Sequence, residues 1–278
     1  MPKTIYIRSQ NDIFQKFETL KRNRYKRHTE GAFILEGVKP IKQAILNSWT
    51  ISGLIYTDAN PPSRWAEEVF CACPNADRYI LTPGLMGLLS DKEESSEIIA
   101  LVKFSAINSI DQLSFADDKP PLIVAFDRPQ NPGNLGTVIR SCSSFGADAL
   151  IITGHCADMY DPQTIRSSIG AFFALPVIHT ESFAVVDRLA SRLREKWSGL
   201  QIIGTSAKAQ STVYEASLDD ALILCVGNET DGLSRKFAEG CDQMLTIPIN
   251  GAASSLNVGC AASICLYEIA KQRAIGRR

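Results

Sequence analysis

Five short apolar runs in the second half of this 278-residue chain restrict its fold more than any other feature: Leu122–Phe126, Ala149–Thr153, Gln201–Thr205, Ala221–Val226 and Met244–Ile249. Runs this short and this evenly apolar mark strands buried on both faces. Helical patterns lie between them. Leu135, Val138, Ile139, Cys142 and Phe145 follow i, i+3, i+4 spacing, with Gly146 placed to end the helix. Val186, Leu189, Ala190, Leu193 and Trp197 repeat that spacing. Strands alternating with helices predict an α/β fold with a mostly parallel sheet.

The first hundred residues alternate as well, more weakly. Helical segments are expected at 10–22, at Pro40–Asn47, at Pro62–Cys71 and after Pro83. Strands are expected at Ala32–Glu36, Ile51–Thr57, Tyr79–Leu81 and within Ile98–Phe104. The stretch Ser105–Pro120, rich in Asn, Ser and Asp, breaks the rhythm and reads as a linker. The expected division is a smaller N-terminal domain over 1–104, a linker over 105–119 and a larger domain over 120–278.

An apolar fraction of 45% and a charged fraction of 21% are those of a soluble globular protein. The net charge of −1 announces no nucleic-acid partner. Its distribution is uneven, because residues 1–30 hold eight Lys/Arg against three Asp/Glu, mostly within Lys21–His28. There Tyr25 among Arg22, Arg24, Lys26 and Arg27 has the composition to stack on an unpaired base while cations hold phosphates. A solvated helix end is the alternative. The eight cysteines include no C-x-x-C pair and the three histidines lie far apart, which predicts reduced, buried thiols and no metal site. His155 and His179 read as structural, Trp65 and Trp197 as core or interface. With no apolar signal region after Met1 and no run of membrane-spanning length, a cytoplasmic location is expected.

Three polar loops follow the predicted strands. The first is Asp127–Gly136, leading into a helix that carries Asn134 at its start and Arg140 nearly two turns on, off the apolar stripe. An arginine there can clamp a phosphate through its planar fork, or can be a solvated surface residue. The second, Gly227–Ser234, brackets Glu229 and Asp231 between glycines, as suits either close approach to a ligand or a tight turn that caps the next helix. The third, Ile247–Gly259, places small residues, Ser255 and Asn257 at a helix start. In an open parallel sheet, ligands bind beyond the carboxyl ends of the strands, so the three loops are expected to converge. Neither G-x-G-x-x-G nor G-x-x-x-x-G-K-[ST] occurs, which leaves nicotinamide dinucleotide and ATP without support.

In this order, the three loops resemble the SpoU/TrmH family of RNA ribose 2′-O-methyltransferases of the SPOUT superfamily. Asn134-x-Gly136-x-x-x-Arg140 is similar to its first motif and Gly227-x-Glu229-x-x-Gly232-Leu233-Ser234 to its second. Ile247-Pro248 followed by Ser255-Leu256-Asn257-Val258, with Leu266-Tyr267-Glu268 beyond, is similar to its third. Arg166-Ser167-Ser168-Ile169-Gly170-Ala171 resembles the family segment after the first motif, and Phe33–Ile41 its ribosomal-protein-L30e-like domain. Tyr160-Asp161-Pro162 before Arg166, with Gly227-Asn228-Glu229-Thr230, points within the family to 23S rRNA uridine ribose methyltransferases. Gly259 departs from the pattern, where Ser or Ala is more usual, and is expected to matter little.

The resemblance implies a deep trefoil knot in the C-terminal domain, an exception to the rule against threaded chains. It also implies S-adenosylmethionine as cofactor and a homodimer with active sites at the subunit interface, the small-residue helix around Cys260 and Cys265 contributing to the contact. Gly227, Ile247 and Leu256 are then the cofactor's backbone contacts, with Thr205 and Ser206 nearby. Arg140 is expected on the target's phosphate and sugar; a guanidinium stays protonated and makes a poor literal base. Asn134 would hold the ribose or Arg140, and Glu229 would orient its loop or pair with Arg140. Ser255 and Asn257 would hold the third loop and the substrate hydroxyl, while Arg166 joins the Lys21–His28 residues as an RNA contact. The implied substrate is 23S rRNA. Transfer RNA, or a non-catalytic role in ribosome assembly, are the alternatives.

Overall fold

The computed structural model describes residues 2–276, which divide into two compact units. The first unit contains β1 (Thr4–Ile7), α1 (Asp12–Arg22), α2 (Arg24–Glu30), β2 (Ala32–Glu36), α3 (Val38–Leu46), β3 (Ile51–Tyr56), α4 (Arg64–Ala72), β4 (Asp77–Leu81), α5 (Pro83–Leu89) and β5 (Ile98–Lys103). The second follows with β6 (Leu122–Asp127), α6 (Pro132–Ser144) and β7 (Ala149–Thr153). The chain then returns to the first unit for α7 (Pro162–Ser168) and goes back to the second for β8 (Val177–Thr180), α8 (Phe183–Arg194), β9 (Gln201–Thr205), β10 (Ser211–Thr212), β11 (Leu222–Val226), α9 (Arg235–Gly240), β12 (Gln243–Thr246) and α10 (Val258–Gly276).

The first unit is a five-stranded mixed sheet ordered β1-β4-β3-β5-β2, in which β5 runs antiparallel to both of its neighbours. One face is closed by Phe14, Phe17 and Leu20 of α1 with Leu85, Met86 and Leu89 of α5, over Ile34, Ile55 and Ile99. Side chains alternate across a strand, so Phe33 points the other way. It enters an aromatic cluster with Trp49, Phe104, Tyr160, Phe172 and Phe173. Tyr160 stacks on Phe104 with centroids 3.7 Å apart, and the Trp49 indole donates to the Phe173 carbonyl at 3.0 Å. Burying Phe33 alone stabilises by about 1.5–3 kcal/mol. This cluster explains why residues 160–174 count with the first unit. A linear division at 105–119 does not anticipate that return.

The second unit is a seven-stranded sheet, parallel throughout, ordered β10-β12-β9-β11-β6-β7-β8. On one face Val186, Leu189, Ala190 and Leu193 of α8 and Phe237 of α9 pack on Ile123, Ala125, Ile151, Ile202 and Ile223. The helices α6 and α10 take no part in that cluster and pack against each other, with the hydroxyls of Ser141 and Ser263 2.7 Å apart. The mostly parallel α/β fold and its smaller partner domain therefore stand as expected.

The boundaries are corrected in several places. The predicted strand Met244–Ile249 is in the sheet only over Gln243–Thr246, and Pro248 has no N–H for a ladder. The helix expected from Pro62 begins at Arg64, because Ser63 caps it by accepting from Ala66 N–H. The strands β1 and β8, each four residues long, and the helix α2 are additions to the sequence reading. The linker holds a short 3-10 turn, Ile110–Gln112, whose Ile110 is buried in the second unit's core.

Candidate active site

The strands β12, β9, β11 and β6 are consecutive neighbours, so the loops leaving their carboxyl ends emerge side by side. After β6, Asn131 caps α6 by accepting from Asn134 N–H at 3.0 Å, with Pro132 in the first turn. That cap sets Asn134 at the helix start. After β11, Gly227 runs so close to the next turn that a Cβ on it would lie 2.1 Å from the Gly232 carbonyl carbon. The loop closes on itself through paired backbone bonds between Asn228 and Gly232. After β12, Asn257 caps α10, its Oδ1 accepting from Gly259 N–H at 2.9 Å and Cys260 N–H at 3.4 Å.

The three loops meet through side chains. Asn134 Nδ2 donates to Glu229 Oε1 at 2.8 Å, and Asn257 Nδ2 donates to Asn134 Oδ1 at 3.0 Å. Glu229 Oε2 also accepts from Gln130 N–H at 3.4 Å. One residue from each motif is thus tied into a single chain, with Asn134 in the middle. Within this chain Glu229 holds Asn134.

Beside this chain lies a cavity of about 420 Å³, inside the about 300–1,000 Å³ range of small-molecule sites. Thr205, Ser206, Gly227, Ile247 and Leu256, all expected at a cofactor, line it together with Glu229 and Ser255. Its walls are apolar at Val226, Leu245, Ile247 and Val258 and acidic at Glu229 and Asp231; Lys208 is its basic residue. Arg140 stands apart from it, exposed on α6, with no side-chain partner among the described residues. Gly259 matters more than expected: a Cβ there would meet Thr137 Cγ2 at 2.8 Å, where α10 crosses α6.

The basic stretch of the first unit separates into two kinds of residue. Arg22, Tyr25 and Lys26 are exposed, Tyr25 at 74%. Arg27 is 2% exposed and donates to the carbonyls of Leu20 and Lys21 at 3.0 Å each, with Asp161 at 3.4 Å. Its expected RNA contact is corrected to a structural role: the side chain faces inward and closes the α1–α2 corner. Arg166 is exposed but pairs with Asp91 at 3.1 Å, and Lys21 pairs with the same carboxylate at 2.7 Å. His179 meets the Gly154 carbonyl at 2.8 Å, a structural use, and Trp197 packs at the edge of the second core. Burial pushes the Cys265 thiol up to about 12, so it stays a thiol.

Residues the sequence reading passed over also hold the site. Asp127, at the end of β6, accepts from Ser234 N–H at 2.7 Å and from Thr153 Oγ1 at 3.1 Å. Gln130 donates to the carbonyls of Arg128 and His155. The available signal was a carboxylate ending an otherwise apolar strand.

These loops and this parallel sheet are those of a SpoU methylase. Residues 121–267 match the SpoU rRNA methylase family and residues 11–100 the SpoU L30e-like domain, so the chain belongs to that family. Among its relatives, the 23S rRNA (uridine(2479)-2′-O)-methyltransferase of Streptomyces viridochromogenes is 36% identical over 99% of this chain and 95% of its own. The 23S rRNA (guanosine(2553)-2′-O)-methyltransferase RlmP of Bacillus subtilis is 28% identical over 90% of this chain and 91% of its own. Among solved structures, the SpoU methyltransferase AviRb of Streptomyces viridochromogenes, in complex with the cofactor AdoMet, matches with a TM-score of 0.88 at 35% identity, covering 95% of this chain and 98% of that one.

Proposed function

We propose that this chain is an S-adenosylmethionine-dependent methyltransferase that modifies a ribose 2′-hydroxyl in 23S rRNA. The observation that carries the reading is the Glu229–Asn134–Asn257 chain beside the cavity, because it joins all three family motifs into one arrangement. The cavity suits the cofactor. Gly227 lets the loop fold tightly against Gly232 at the cavity wall, the apolar residues suit an adenine ring, and Glu229 and Asp231 suit positive charge. When bound, S-adenosylmethionine supplies a methyl group already activated on a sulfonium.

The protein's part is then positioning. An asparagine amide carries two N–H donors; Glu229 takes one of Asn134's and leaves the other for the ribose. Arg140, with its guanidinium uncommitted, binds the phosphate and sugar of the target nucleotide and holds the 2′-oxygen in line. It acts there as a cation and donor, and the proton that the 2′-hydroxyl loses as it is methylated passes to the bound phosphate or to water. Ser255 and Asn257 keep the third loop and the hydroxyl in register. Arg22, Arg24, Tyr25 and Lys26, on the first unit, gather the RNA.

The proposal includes the trefoil knot, a homodimer using the exposed Ile264 and Tyr267 of α10, and a cytoplasmic setting. The test is Arg140→Ala. Methyl transfer to 23S rRNA should be lost while S-adenosylhomocysteine still binds by calorimetry; full transfer activity refutes the assignment.

A further inference from the structure

We infer that Asp127 is a positioning residue for the cofactor cavity, its buried carboxylate fixing the attitude of the loop 227–234 that forms one wall. The inference rests on the cofactor reading proposed above. Its starting point is the cost of the side chain: a carboxylate only 3% exposed is expensive to bury unless every lone pair finds a donor. Asp127 finds them on three separate elements. Oδ2 accepts from Ser234 N–H at 2.7 Å, at the exit of the second loop. Oδ1 accepts from the buried Thr153 hydroxyl at 3.1 Å, at the end of β7. Both oxygens face Arg128 Nε at 3.3 Å, and Arg128 Nη2 continues to the Gly232 carbonyl at 3.4 Å.

The second loop is internally stiff. Asn228 and Gly232 exchange backbone bonds, and Asn228 Oδ1 accepts from Thr230 and Asp231 N–H at 2.9 and 2.7 Å. A stiff loop moves as one piece, so its outside attachments decide where its wall stands. Its side-chain hydrogen bonds to the outside come from one neighbouring segment, while Leu233 packs on the core. Glu229 reaches Gln130 and Asn134 at the tip, and Asp127 with Arg128 reaches Ser234 and Gly232 at the exit. Arg128 holds a left-handed backbone, φ 52°, while making this contact. A non-glycine residue persists there only where its surroundings over-determine it. Asp127 touches neither the cavity nor the proposed reacting atoms; it acts through the loop.

Two substitutions address the same hydrogen bond from opposite ends. Asp127→Asn keeps the shape and one acceptor oxygen but loses the charge. Ser234→Pro removes the N–H donor at a position that already sits at φ −63° and whose side chain makes no cap bond. With the fully folded variants, S-adenosylhomocysteine affinity by calorimetry and the KM values for cofactor and RNA are measured well below each Tm. The expected result is cofactor binding weakened about 10- to 100-fold, the scale of a small misplacement, with the KM for RNA unchanged. On an Asp127→Asn background Ser234→Pro should add less than its effect in the wild type, because the two share the Ser234 N–H bond. Wild-type affinity, equal losses for cofactor and RNA, or multiplying effects overturn the inference. If the wild-type chain itself binds no S-adenosylhomocysteine, the cofactor reading falls. Amide exchange over 228–234 then decides for Asp127: faster exchange in Asp127→Asn supports its role, and unchanged exchange overturns it.

Discussion

Two polar regions of this protein look alike as strings and differ as structures. The loops of the second unit spend side chains on one another, Glu229 on Asn134 and Asn134 on Asn257, and leave Arg140 without a side-chain partner among the described residues. The basic stretch of the first unit turns one arginine, Arg27, fully inward and points Tyr25 and Lys26 to solvent. The lesson is that a cation's role follows from the face it occupies. On α6 the apolar residues leave Arg140 outside; at the α1–α2 corner, Asn23 caps α2 and turns the chain so that Arg27 meets the carbonyls of Leu20 and Lys21.

The sharpest way to break this contrast is to exchange the fates of the two arginines. Arg140→Ala is expected to lower methyl transfer by about 100-fold or more, as for loss of a charged group that positions the reacting centre, with no change in Tm. Arg27→Ala should do the reverse. It strands one buried and one partly buried carbonyl and costs about 2–4 kcal/mol of stability, read as a lower urea midpoint, while RNA affinity at a temperature of full folding stays within twofold. A drop in RNA affinity without a drop in stability returns Arg27 to the binding surface.

Reversing Arg22 and Lys26 to Glu should weaken RNA binding and flatten its salt dependence by about 0.7–0.9 in log–log slope for each phosphate no longer neutralised; an unchanged slope removes the patch from RNA recognition. Gly259→Ala should cost about 1–3 kcal/mol through overpacking against Thr137, visible in thermal melts. The smallest effect is at Glu268 on α10, whose carboxyl is held below the ordinary range by the Gln272 side chain first and Lys271 second. A depressed carboxyl contributes stability above its unfolded pKa that is lost as pH falls through the folded one. Gln272→Leu should therefore raise the Glu268 midpoint in an NMR titration and lessen this acid-side loss.

Much of the fold was legible because burial on both faces leaves a direct mark. The five apolar runs became β6, β7, β9, β11 and β12 with ends moved by a few residues. β8 and β1 escaped because four residues carry too little pattern, and α2 because a basic heptamer shows no apolar stripe. The site was legible as three motifs, and its cofactor-side residues line one cavity. Asp127 was not legible as a site residue. A carboxylate at a strand end looks like any loop residue until Ser234, 107 positions on, is brought to it.

By itself, then, the sequence determined the parallel α/β sheet, the order of its strands along the chain and the family motifs, because these depend on local periodicity and on residues close in the chain. Only the tertiary structure decided that 160–174 belongs with the first unit, that Glu229 holds Asn134, that Arg27 is buried, and that Gly259 sets the approach of α10 to α6. Each of these depends on which distant groups satisfy a buried polar or aromatic side chain. Such partners are chosen by three-dimensional proximity, which composition and spacing along the chain do not encode.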